Sequence, residues 1–491
     1  MAAPFRIYST LTRTVTEFKP LKPGHVGLYV CGMTVSDRPH VGHGMFINIF
    51  DTFVRYLRYR GWKVNYVRNF TDVDDKIIAR AAQQGEDPFA LAQRFIDAFH
   101  EDTDRMGMLR PDHEPRVTEV IDAILSMVES LIDKGHAYVN EGTAWFDVRS
   151  LPSYGKLSGQ KIDELRSPDE VPGKRHPADF ALWKAVKPGE PSWDSPWGPG
   201  RPGWHIECSA MSIGVLGENF DIHGGGLDLV FPHHENEVAQ AEAHSGCNYA
   251  NYWMHNGLLT VASGQKMGKS LGNMSSLQDA LLQFPGETLR LYYLQNHYRS
   301  PLPWGEEALP DALAMLCRLY EAKEVAQAMG GQEDPAQVAR DLGEDAQMVL
   351  DLSASFAQRF HAALDDDFNT ALALGHVFEL VRAVNRLSNH KKSKKRGGPV
   401  VADALAALEL VPQALGLLGM PVNVFLEEVK DKRLGAMGLT RESVEEKISA
   451  RTQARADRDW GQADALRGEL EAMGVVLMDG VDGTTWRIQV G

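Results

Sequence analysis

Two cysteines and one histidine-containing acidic run carry the side chains best suited to bind a metal. Cys31 and Cys208 are far apart in the sequence, and residues 233–237 read His-His-Glu-Asn-Glu. Thiolate, imidazole and carboxylate groups together form a donor set that suits zinc. The alternative is that both cysteines are small buried apolar residues and that the run is a solvated helix face. The ligand types alone leave both interpretations open, because no motif rule brings such distant cysteines together.

The spacing within this run indicates which residues can act together. If Pro232 begins a helix, His233 and Glu237 are one helical turn apart and point the same way. His234 has Val238 at the equivalent position and cannot form the same pair, although it can pair with Glu237 at the shorter helical spacing. The hypothesis is a site of two thiolates, one imidazole and one carboxylate.

Two further segments contain groups that bind phosphate. Residues 40–43 read His-Val-Gly-His just before a predicted helix, where imidazoles and backbone N–H groups can meet a phosphate. Residues 266–270 read Lys-Met-Gly-Lys-Ser, and two lysines in a polar loop can follow charge that develops on a pyrophosphate leaving group. Each motif alone is weak, because surface lysine pairs are usually only solvated. With the metal donors, they indicate a zinc-dependent enzyme that activates a small substrate with ATP.

The elements that must position these groups follow a strand–loop–helix–strand order. Residues 26–31 read as a buried strand, 44–60 as a helix with apolar side chains at helical spacing, and 63–67 as a second strand. This order is typical of a parallel βαβ unit, in which ligands sit at the carboxyl ends of the strands. Residues 68–75 are predicted to leave the second strand, so Thr71 should face the same crevice.

The rest of the chain changes character several times. A helical pattern fills 76–135, whereas 140–204 are rich in Pro, Gly and Trp and read as an inserted, partly β segment. Residues 220–223 read as a strand that runs into a glycine loop at 224–226. Residues 286–420 read as mostly helical, and the tail reads as helices at 444–460 and 462–473 before a short β-like end at 483–487.

Bulk composition narrows the class. A chain of 491 residues exceeds one hydrophobic core, so we expect two to four domains. We expect no membrane span and a cytoplasmic location, because no long apolar run or basic-then-apolar leader is visible. The formal charge of −15 gives no general reason to expect nucleic-acid binding, so RNA binding must rest on local patches. The 4 cysteines do not make a disulfide scaffold in so long a chain.

Together these motifs resemble those of the cysteinyl-tRNA synthetases, a family of class I aminoacyl-tRNA synthetases. Residues 40–43 resemble the HIGH motif with valine for isoleucine, and residues 266–270 resemble KMSKS, with Gly268 where the family usually has serine. Other segments that resemble this family are 203–209, 223–226, 232–237, 459–464 and 483–487. The resemblance spans nearly the whole chain.

This resemblance implies a zinc ion held by Cys31, Cys208, His233 and Glu237, one per chain. The thiolate of the substrate L-cysteine would join the zinc as a further ligand. A soft thiolate binds zinc far better than a hydroxyl does, which would separate cysteine from serine. When an enzyme makes a bond to the correct amino acid that the competing amino acid cannot make, the ratio of their kcat/KM values reaches about 10⁴ or more. We therefore expect no editing domain.

The resemblance also implies a two-step reaction with ATP and Mg²⁺. Cysteine would form cysteinyl-adenylate and then be transferred to tRNA(Cys), by positioning and charge stabilisation. The residues expected to bind ATP are His40, Gly42, His43, Lys266 and Lys269, of which the two histidines and two lysines are the catalytic candidates. The residues expected to line the amino-acid and adenylate pocket are Thr71, Trp204, His223 and Asp228. A tryptophan buried only for packing is the alternative for Trp204. Gly268 adds backbone freedom to the loop, and because both lysines remain we expect activity.

We therefore predict an α/β protein with a Rossmann-type, doubly wound parallel-sheet catalytic domain, an insertion, and mostly α-helical C-terminal domains. The predicted division is 1–138 and 203–262 for the two catalytic halves, 139–202 for the inserted segment, 263–335 for the KMSKS loop and a stem-contact region, 336–420 for a helical bundle, 421–440 for a linker and 441–491 for an anticodon-binding domain.

Two other functions stay open on the sequence. A ligase that joins cysteine to an amino sugar would share the zinc and ATP motifs but lack the tail at 441–491. A non-catalytic, zinc-containing RNA-binding paralogue would have lost a HIGH histidine or a KMSKS lysine. The basic run 390–398 is either a solvated loop or a tRNA-backbone contact. A monomer is the expected state.

Overall fold

A computed structural model describes residues 4–165, 172–261, 275–305, 307–480 and 483–490. The first third forms a hairpin followed by alternating strands and helices. Its elements are β1 (Arg6–Ser9), β2 (Thr14–Glu17), β3 (His25–Thr34), α1 (Val41–Tyr59), β4 (Lys63–Thr71), α2 (Asp75–Gln84), α3 (Pro88–Arg105) and α4 (Ile121–Asp133).

The next stretch begins with an antiparallel sheet and then returns to the α/β pattern. Its elements are β5 (Ala137–Asn140), β6 (Thr143–Phe146), β7 (Phe180–Ala185), β8 (Gly200–Pro202), α5 (Trp204–Leu216), β9 (Phe220–Gly226), α6 (Glu235–Ser245), β10 (Ala250–Asn256) and β11 (Leu259–Val261). Strands β5 to β8 pair in sequence order in one four-stranded sheet, so the inserted segment is partly β as predicted.

A four-stranded parallel sheet lies at the centre of the catalytic half. Its strand order is β10-β9-β3-β4, and all three pairings are parallel. The chain therefore starts in the middle of the sheet, moves outward to β4, and returns after the insertion to fill the other side. This doubly wound arrangement confirms the predicted fold class, and it brings the carboxyl ends of β3, β4 and β9 to one edge.

Three predicted boundaries in this half were wrong. Helix α1 begins at Val41 rather than Gly44, because the side chain of His40 caps it. Strand β4 continues to Thr71, so residues 68–71 lie in the sheet and not beyond it. The glycines at 224–226 belong to β9 and pair with residues 254–256 of β10.

Glycine is required at positions 224 and 225 of β9 because neighbouring side chains already occupy the space that a side chain there would need. A side chain on Gly224 would overlap the ring of Phe50 on α1, and one on Gly225 would overlap the ring of His234. The triplet is a place where other groups approach the backbone closely, which a turn signal in the sequence does not distinguish.

The second half is mostly helical. Its elements are α7 (Leu277–Gln283), α8 (Gly286–Leu294), β12 (Leu302–Trp304), α9 (Ala308–Gln327), α10 (Pro335–Leu342), α11 (Glu344–Asp365), α12 (Thr370–Ser388), α13 (Ser393–Arg396), α14 (Gly398–Leu408), α15 (Leu410–Leu415), α16 (Val422–Ala436), α17 (Arg441–Ala456), α18 (Trp460–Ala472), β13 (Val475–Gly480) and β14 (Gly483–Ile488). Residues 421–440, predicted to be a linker, contain helix α16, which buries Phe425 and Val429 in the main core.

One stretch of the described chain has the length and mean hydropathy, 1.3, that a membrane span needs. It is Gly398–Leu415, which is two helices separated at Glu409. Val400, Val401 and Ala404 are buried in the main core, as in a core helix of a globular protein. The stretch is accounted for by packing within the fold.

A buried ion pair joins α1 to the helical half. Arg290 Nη2 of α8 lies 2.7 Å from Asp51 Oδ2 of α1, and both side chains are almost fully buried. Arg290 also donates to the carbonyl oxygen of Leu415 at 2.9 Å. Removing Asp51 would leave Arg290 buried without an ion pair among the described residues, whereas Asp51 would keep a second partner, Arg55 of α1, at 2.9 Å. This contact therefore fixes α1 against the helices.

Candidate active site

Four side chains from separate parts of the chain meet near the carboxyl end of β3. Cys31 lies in β3 and Cys208 in α5. His233 lies in the irregular turn before α6, and Glu237 lies in the first turn of α6. Their donor atoms all lie within 4.8 Å of one another, and all four residues are buried. These residues, called the donor cluster below, are the ones that the sequence predicted as metal donors.

The distances within the donor cluster fit a zinc ion. Cys31 Sγ lies 3.6 Å from Cys208 Sγ and 3.2 Å from Glu237 Oε1. His233 Nε2 lies 3.0 Å from Glu237 Oε1. Zinc bonds of about 2.0–2.3 Å imply donor separations of roughly 3.3–3.8 Å in a tetrahedron. The distance between the two sulfurs lies within this range, and the two distances to Glu237 Oε1 are slightly shorter, so a small outward shift of Glu237 would accommodate the ion.

Glu237 is held by groups outside the cluster. His223 Nε2 donates to Glu237 Oε2 at 2.9 Å, and the hydroxyl of Tyr249 donates to the same oxygen at 3.3 Å. Tyr249 in turn shares a 2.5 Å hydrogen bond with Ser212. One carboxylate oxygen is thereby fixed, and Oε1 is left to face the other donors. Sequence reasoning missed Tyr249 and Ser212, because neither belongs to a motif.

Electrostatics in the cluster favour one ionised thiol and an ionised carboxylate. Burial raises the pKa of Cys31 well above its ordinary value, and the adjacent Cys208 adds to the rise. Burial also acts to raise the pKa of Cys208, but hydrogen bonds with Cys31 and His233 lower it to about 6. Burial likewise opposes ionisation of Glu237, yet His223 and His233 hold its pKa well below the usual range. Negative charge therefore accumulates where a cation would bind.

His233 carries the balancing positive charge in this structure. Burial acts to lower the pKa of His233, but Glu237 and Cys208 together outweigh that effect and raise the pKa to about 10. A metal ligand must use a neutral imidazole, so a bound cation would replace this proton as the counter-charge.

A second donor set overlaps the first. Its members, also within 4.8 Å of one another, are Cys31, His223, His234 and Glu237. His234 Nε2 is 3.9 Å from Glu237 Oε1 and has no hydrogen-bond partner among the described residues. Its Nδ1 is engaged with His255 Nε2 at 2.7 Å. Because this set has a single thiolate, the set with two thiolates fits zinc better.

The predicted pocket residues lie at different distances from the cluster. Trp204 is only half-buried, and its ring stacks on that of His233 with centroids 4.3 Å apart. Thr71 reaches the site through Glu207, whose Oε2 accepts from the Thr71 hydroxyl at 3.0 Å. Burial raises the pKa of Glu207 well above its ordinary value. Asp228 is exposed in the short turn after β9.

The two HIGH-type histidines close the amino end of α1. His40 Nδ1 accepts from the backbone N–H groups of Gly42 and His43, at 3.1 and 3.3 Å. His43 Nδ1 accepts from the backbone N–H of His40 at 3.3 Å, and the two rings stack with centroids 3.6 Å apart. A side chain on Gly42 would lie 3.0 Å from the His40 ring, so glycine allows this cap. The two amides expected to meet a phosphate are engaged by His40 in this state.

The KMSKS-like residues Lys266, Gly268 and Lys269 lie outside the described residues. The chain after them is bonded directly to the HIGH-type segment. The N–H of Val41 donates to Ser275 O at 3.1 Å, and the N–H of Leu277 donates to Pro39 O at 3.2 Å. A cleft of about 970 Å³ opens beside His40, Ser275 and Ser276. The two segments predicted to bind ATP are thus adjacent where the chain is described.

The tail presents fewer basic and aromatic groups than its sequence indicated. Trp486 is buried in the small core of the tail, with Lys430 Nζ 4.9 Å from its ring centroid. Arg451 and Arg455 both bind Asp479, at 2.8 and 3.0 Å. Trp486 and Arg451 are therefore engaged within the tail and are not presented to RNA.

Two tail residues do remain exposed together. Trp460 is 60% exposed at the start of α18. Arg458 lies two positions earlier, is exposed, and has a φ of 61°. These two side chains are the ones in the tail best placed to meet a nucleic acid.

Comparisons with known proteins agree with this architecture. Residues 17–314 match the family model described as the class I (C) catalytic domain of tRNA synthetases. Methionyl-tRNA synthetase of Mycobacterium tuberculosis, solved with methionyl-adenylate, has the same fold with a TM-score of 0.58 at 14% identity, over 85% of this chain and 94% of that one. A leucyl synthetase of Agrobacterium radiobacter, solved with tRNA, has a TM-score of 0.57 at 12% identity, over 81% of this chain and 85% of that one. The fold and the catalytic-domain match define a class I aminoacyl-tRNA synthetase.

Sequence relatives narrow the class further. Cysteine–tRNA ligase of Methylococcus capsulatus is 47% identical over 489 residues, covering 98% of this chain and 99% of that protein. The same enzyme of Alkalilimnicola ehrlichii is 48% identical over 486 residues, with 98% and 99% coverage. Residues 359–420 match the DALR domain, and residues 441–487 match the anticodon-binding domain of cysteinyl-tRNA ligases. The chain belongs to the cysteine–tRNA ligase family and is an enzyme of the ligase class.

Proposed function

We propose that this protein activates L-cysteine with ATP to form cysteinyl-adenylate and then transfers the cysteinyl group to tRNA(Cys). The observation that carries the proposal is the buried donor cluster, which lies beside the half-buried ring of Trp204. A synthetase that must reject serine needs a group that binds sulfur, and the donor cluster would hold a zinc ion that can do so. Membership of the cysteine–tRNA ligase family supports the same substrates.

Cys31, Cys208, His233 and Glu237 would hold one zinc ion in this role. When bound, zinc would supply a soft Lewis acid that accepts the thiolate of the substrate. His223 and Tyr249 fix the orientation of Glu237, and Trp204 packs over His233. These contacts hold the donors in place before the substrate arrives, so little reorganisation remains for the bound state.

The ATP-binding role falls to the end of α1 and to the KMSKS-like loop. His40 and His43 would contact the phosphates, with the backbone of Gly42, once His40 turns away from the amides that it caps. Lys266 and Lys269 would stabilise the pyrophosphate as it leaves, and Mg²⁺ would accompany ATP. Thr71, His223 and Asp228 complete the proposed pocket for the amino acid and adenylate.

The proposed domain division assigns a task to each part of the chain. The catalytic halves, 1–138 and 203–262, would form the adenylate, and 139–202 would approach the acceptor end of the tRNA. Residues 263–335 and 336–420 would contact its body, and 441–491 would read the anticodon. We propose a cytoplasmic monomer with one zinc per chain.

The decisive experiment is ATP–pyrophosphate exchange with all twenty amino acids, followed by acylation of tRNA(Cys). Exchange should occur with cysteine far above serine, and cysteine should be transferred to tRNA(Cys). Cys208→Ser should lose zinc and cysteine-dependent exchange together, whereas Cys247→Ser, at the exposed thiol, should retain both. A metal-free wild type with full activity would refute the zinc role. Activation of cysteine without any tRNA acylation would favour the amino-sugar ligase instead.

A further inference from the structure

A basic turn between α12 and α14 projects four lysines from the helical half. The lysines are Lys391, Lys392, Lys394 and Lys395, here called the lysine turn, and all four are exposed. The chain as a whole carries a formal charge of −15, so four adjacent exposed lysines are a local exception. The sequence left this run open as a solvated loop or a tRNA-backbone contact. The proposed function assigns residues 336–420 to the body of the tRNA without naming the groups that bind it.

The lysine turn has a defined backbone. The N–H of Gly330, after α9, donates to Lys394 O at 3.0 Å, and the N–H of Gly398 donates back to Gly330 O at 2.8 Å. Gly331 has a φ of 118°, and a side chain there would meet the backbone of Arg396 at 2.9 Å. The glycines of residues 330–331 thus allow the turn to pack closely on the end of α9.

The acidic groups near the turn are already paired with residues other than the lysines. Arg396 binds Glu333 at 2.8 Å and Asp341 at 2.7 Å. His390 binds Asp345 at 2.8 Å. Among the described residues, none of the four lysines forms an ion pair within 4.0 Å. His390 and Arg396 therefore anchor the turn, and the lysine amines are left for an external anion.

The lysine turn lies at the same end of α9 as the contact with the tail. Arg487 of β14 pairs with Glu321 and also lies 3.8 Å from Glu324, both near the end of α9. Gly330 is six positions after Glu324, a span of at most roughly 20 Å. A rigid polyanion bound to the tail would therefore pass close to the lysine turn.

We infer that the lysine turn binds the phosphate backbone of the tRNA, next to the stretch that the tail contacts. The inference rests on the proposed function, because it extends the tRNA surface of that enzyme. Lysine amines act as point charges on phosphates and carry no sequence information, so the turn adds affinity and orientation rather than tRNA identity. The side chains of the donor cluster and of the α1 end have no part in it.

The test removes the charges and leaves the active site untouched. A K391Q/K392Q/K394Q/K395Q variant should raise the KM for tRNA(Cys) about 3- to 10-fold at moderate salt. It should also reduce the slope of log Kd against log salt concentration by about 2 to 3, since each phosphate contact contributes about 0.7–0.9 to that slope. ATP–pyrophosphate exchange with cysteine should not change. A K391R/K392R/K394R/K395R variant should keep the wild-type KM for tRNA(Cys) and the wild-type slope of log Kd against log salt concentration.

A matched control neutralises exposed lysines elsewhere. Lys22 and Lys63 lie at the amino-terminal edge of the central sheet, and neither has an ion pair among the described residues. K22Q/K63Q should leave the KM for tRNA and the salt slope as in the wild type. An unchanged KM and slope in the quadruple glutamine variant would overturn the inference. If the wild type acylates no tRNA at all, the proposed function fails, which is a separate and distinguishable result.

Discussion

Tyr293 donates a hydrogen bond from its hydroxyl to the carbonyl oxygen of Val41, at 2.8 Å, in a buried position. Val41 is the first residue of α1, and its N–H donates to Ser275 O. A side chain on Gly44 would lie 3.0 Å from the Tyr293 hydroxyl and 3.0 Å from Leu277. The end of α1 that carries the HIGH-type histidines is thus positioned by α8 and by the chain that follows the KMSKS-like loop.

This relationship predicts that Tyr293→Phe slows adenylate formation. Losing the hydroxyl leaves the Val41 carbonyl without this donor and loosens the end of α1, while the fold is retained. We expect ATP–pyrophosphate exchange to lose about 5- to 20-fold in kcat, which corresponds to about 1–2 kcal/mol. Zinc content and the dissociation constant for cysteine should not change.

Tyr138→Phe is the control for this substitution. Tyr138 also donates a buried hydrogen bond, to Asp179 at 2.7 Å, but it lies in the inserted sheet. Exchange should be normal in Tyr138→Phe. Equal rates in Tyr293→Phe and the wild type would show that the bond does not position the histidines.

The outer contacts of Glu237 predict a graded series of zinc affinities. His223→Asn removes the 2.9 Å hydrogen bond to Glu237 Oε2, and Tyr249→Phe removes the longer one of 3.3 Å. Partners of this kind contribute about 10- to 100-fold to metal affinity. We expect His223→Asn to weaken zinc binding within that range and Tyr249→Phe to weaken it less. Competition with a chelator measures both, and equal affinity in all three proteins would contradict the role given to these contacts.

The donor cluster could be predicted from the sequence because the family resemblance implied all four of its residues, although no motif rule brings Cys31 and Cys208 together. The contacts around it could not, because Tyr249, Ser212 and Glu207 act only through the packing of α5, α6 and β10. Gly224 shows the same limit, since the need for glycine there comes from the ring of Phe50, which belongs to another element. The burial of Trp486 could not be predicted either, because it depends on the pairing of β13 with β14, and sequence spacing does not show which strand face is covered.

Asp102 predicts a pH-dependent gain in stability on substitution. Its side chain on α3 is fully buried, and neither carboxylate oxygen has a hydrogen-bond partner among the described residues. Burial raises the pKa of Asp102 to about 6. Arg38, which lies 3.9 Å away, and Arg105 oppose this rise, whereas Glu101 and Asp279 add to it. The folded pKa is above the unfolded value of about 3.9, so the protonated form favours folding. Stability from this group is complete below pH 4 and is lost as the pH rises through 6.

Asp102→Asn should therefore raise the free energy of unfolding at pH 8 by about 1–2 kcal/mol, and the gain should fall to about a third of that at pH 4.5. Urea unfolding at the two pH values measures the difference. Asp97→Asn, at an exposed position on the same helix, should have no such pH-dependent effect. A gain of equal size at both pH values would rule out ionisation of Asp102 as its cause.

The two tail tryptophans predict opposite phenotypes. Trp460 is 60% exposed beside Arg458, whereas Trp486 is 8% exposed within the tail core. Stacking of a base on an exposed aromatic ring contributes about 1–3 kcal/mol, so Trp460→Ala should raise the KM for tRNA(Cys) at least about 5-fold. The thermal stability and the ATP–pyrophosphate exchange rate of Trp460→Ala should match those of the wild type. Trp486→Ala should instead create a cavity, and limited proteolysis should cleave the tail faster, because large-to-small core changes destabilise by about 3–5 kcal/mol. If Trp460→Ala acylates tRNA as well as the wild type does, the exposed indole does not contact RNA. Acylation by Arg458→Ala across a series of salt concentrations then tests whether this surface of the tail binds RNA at all.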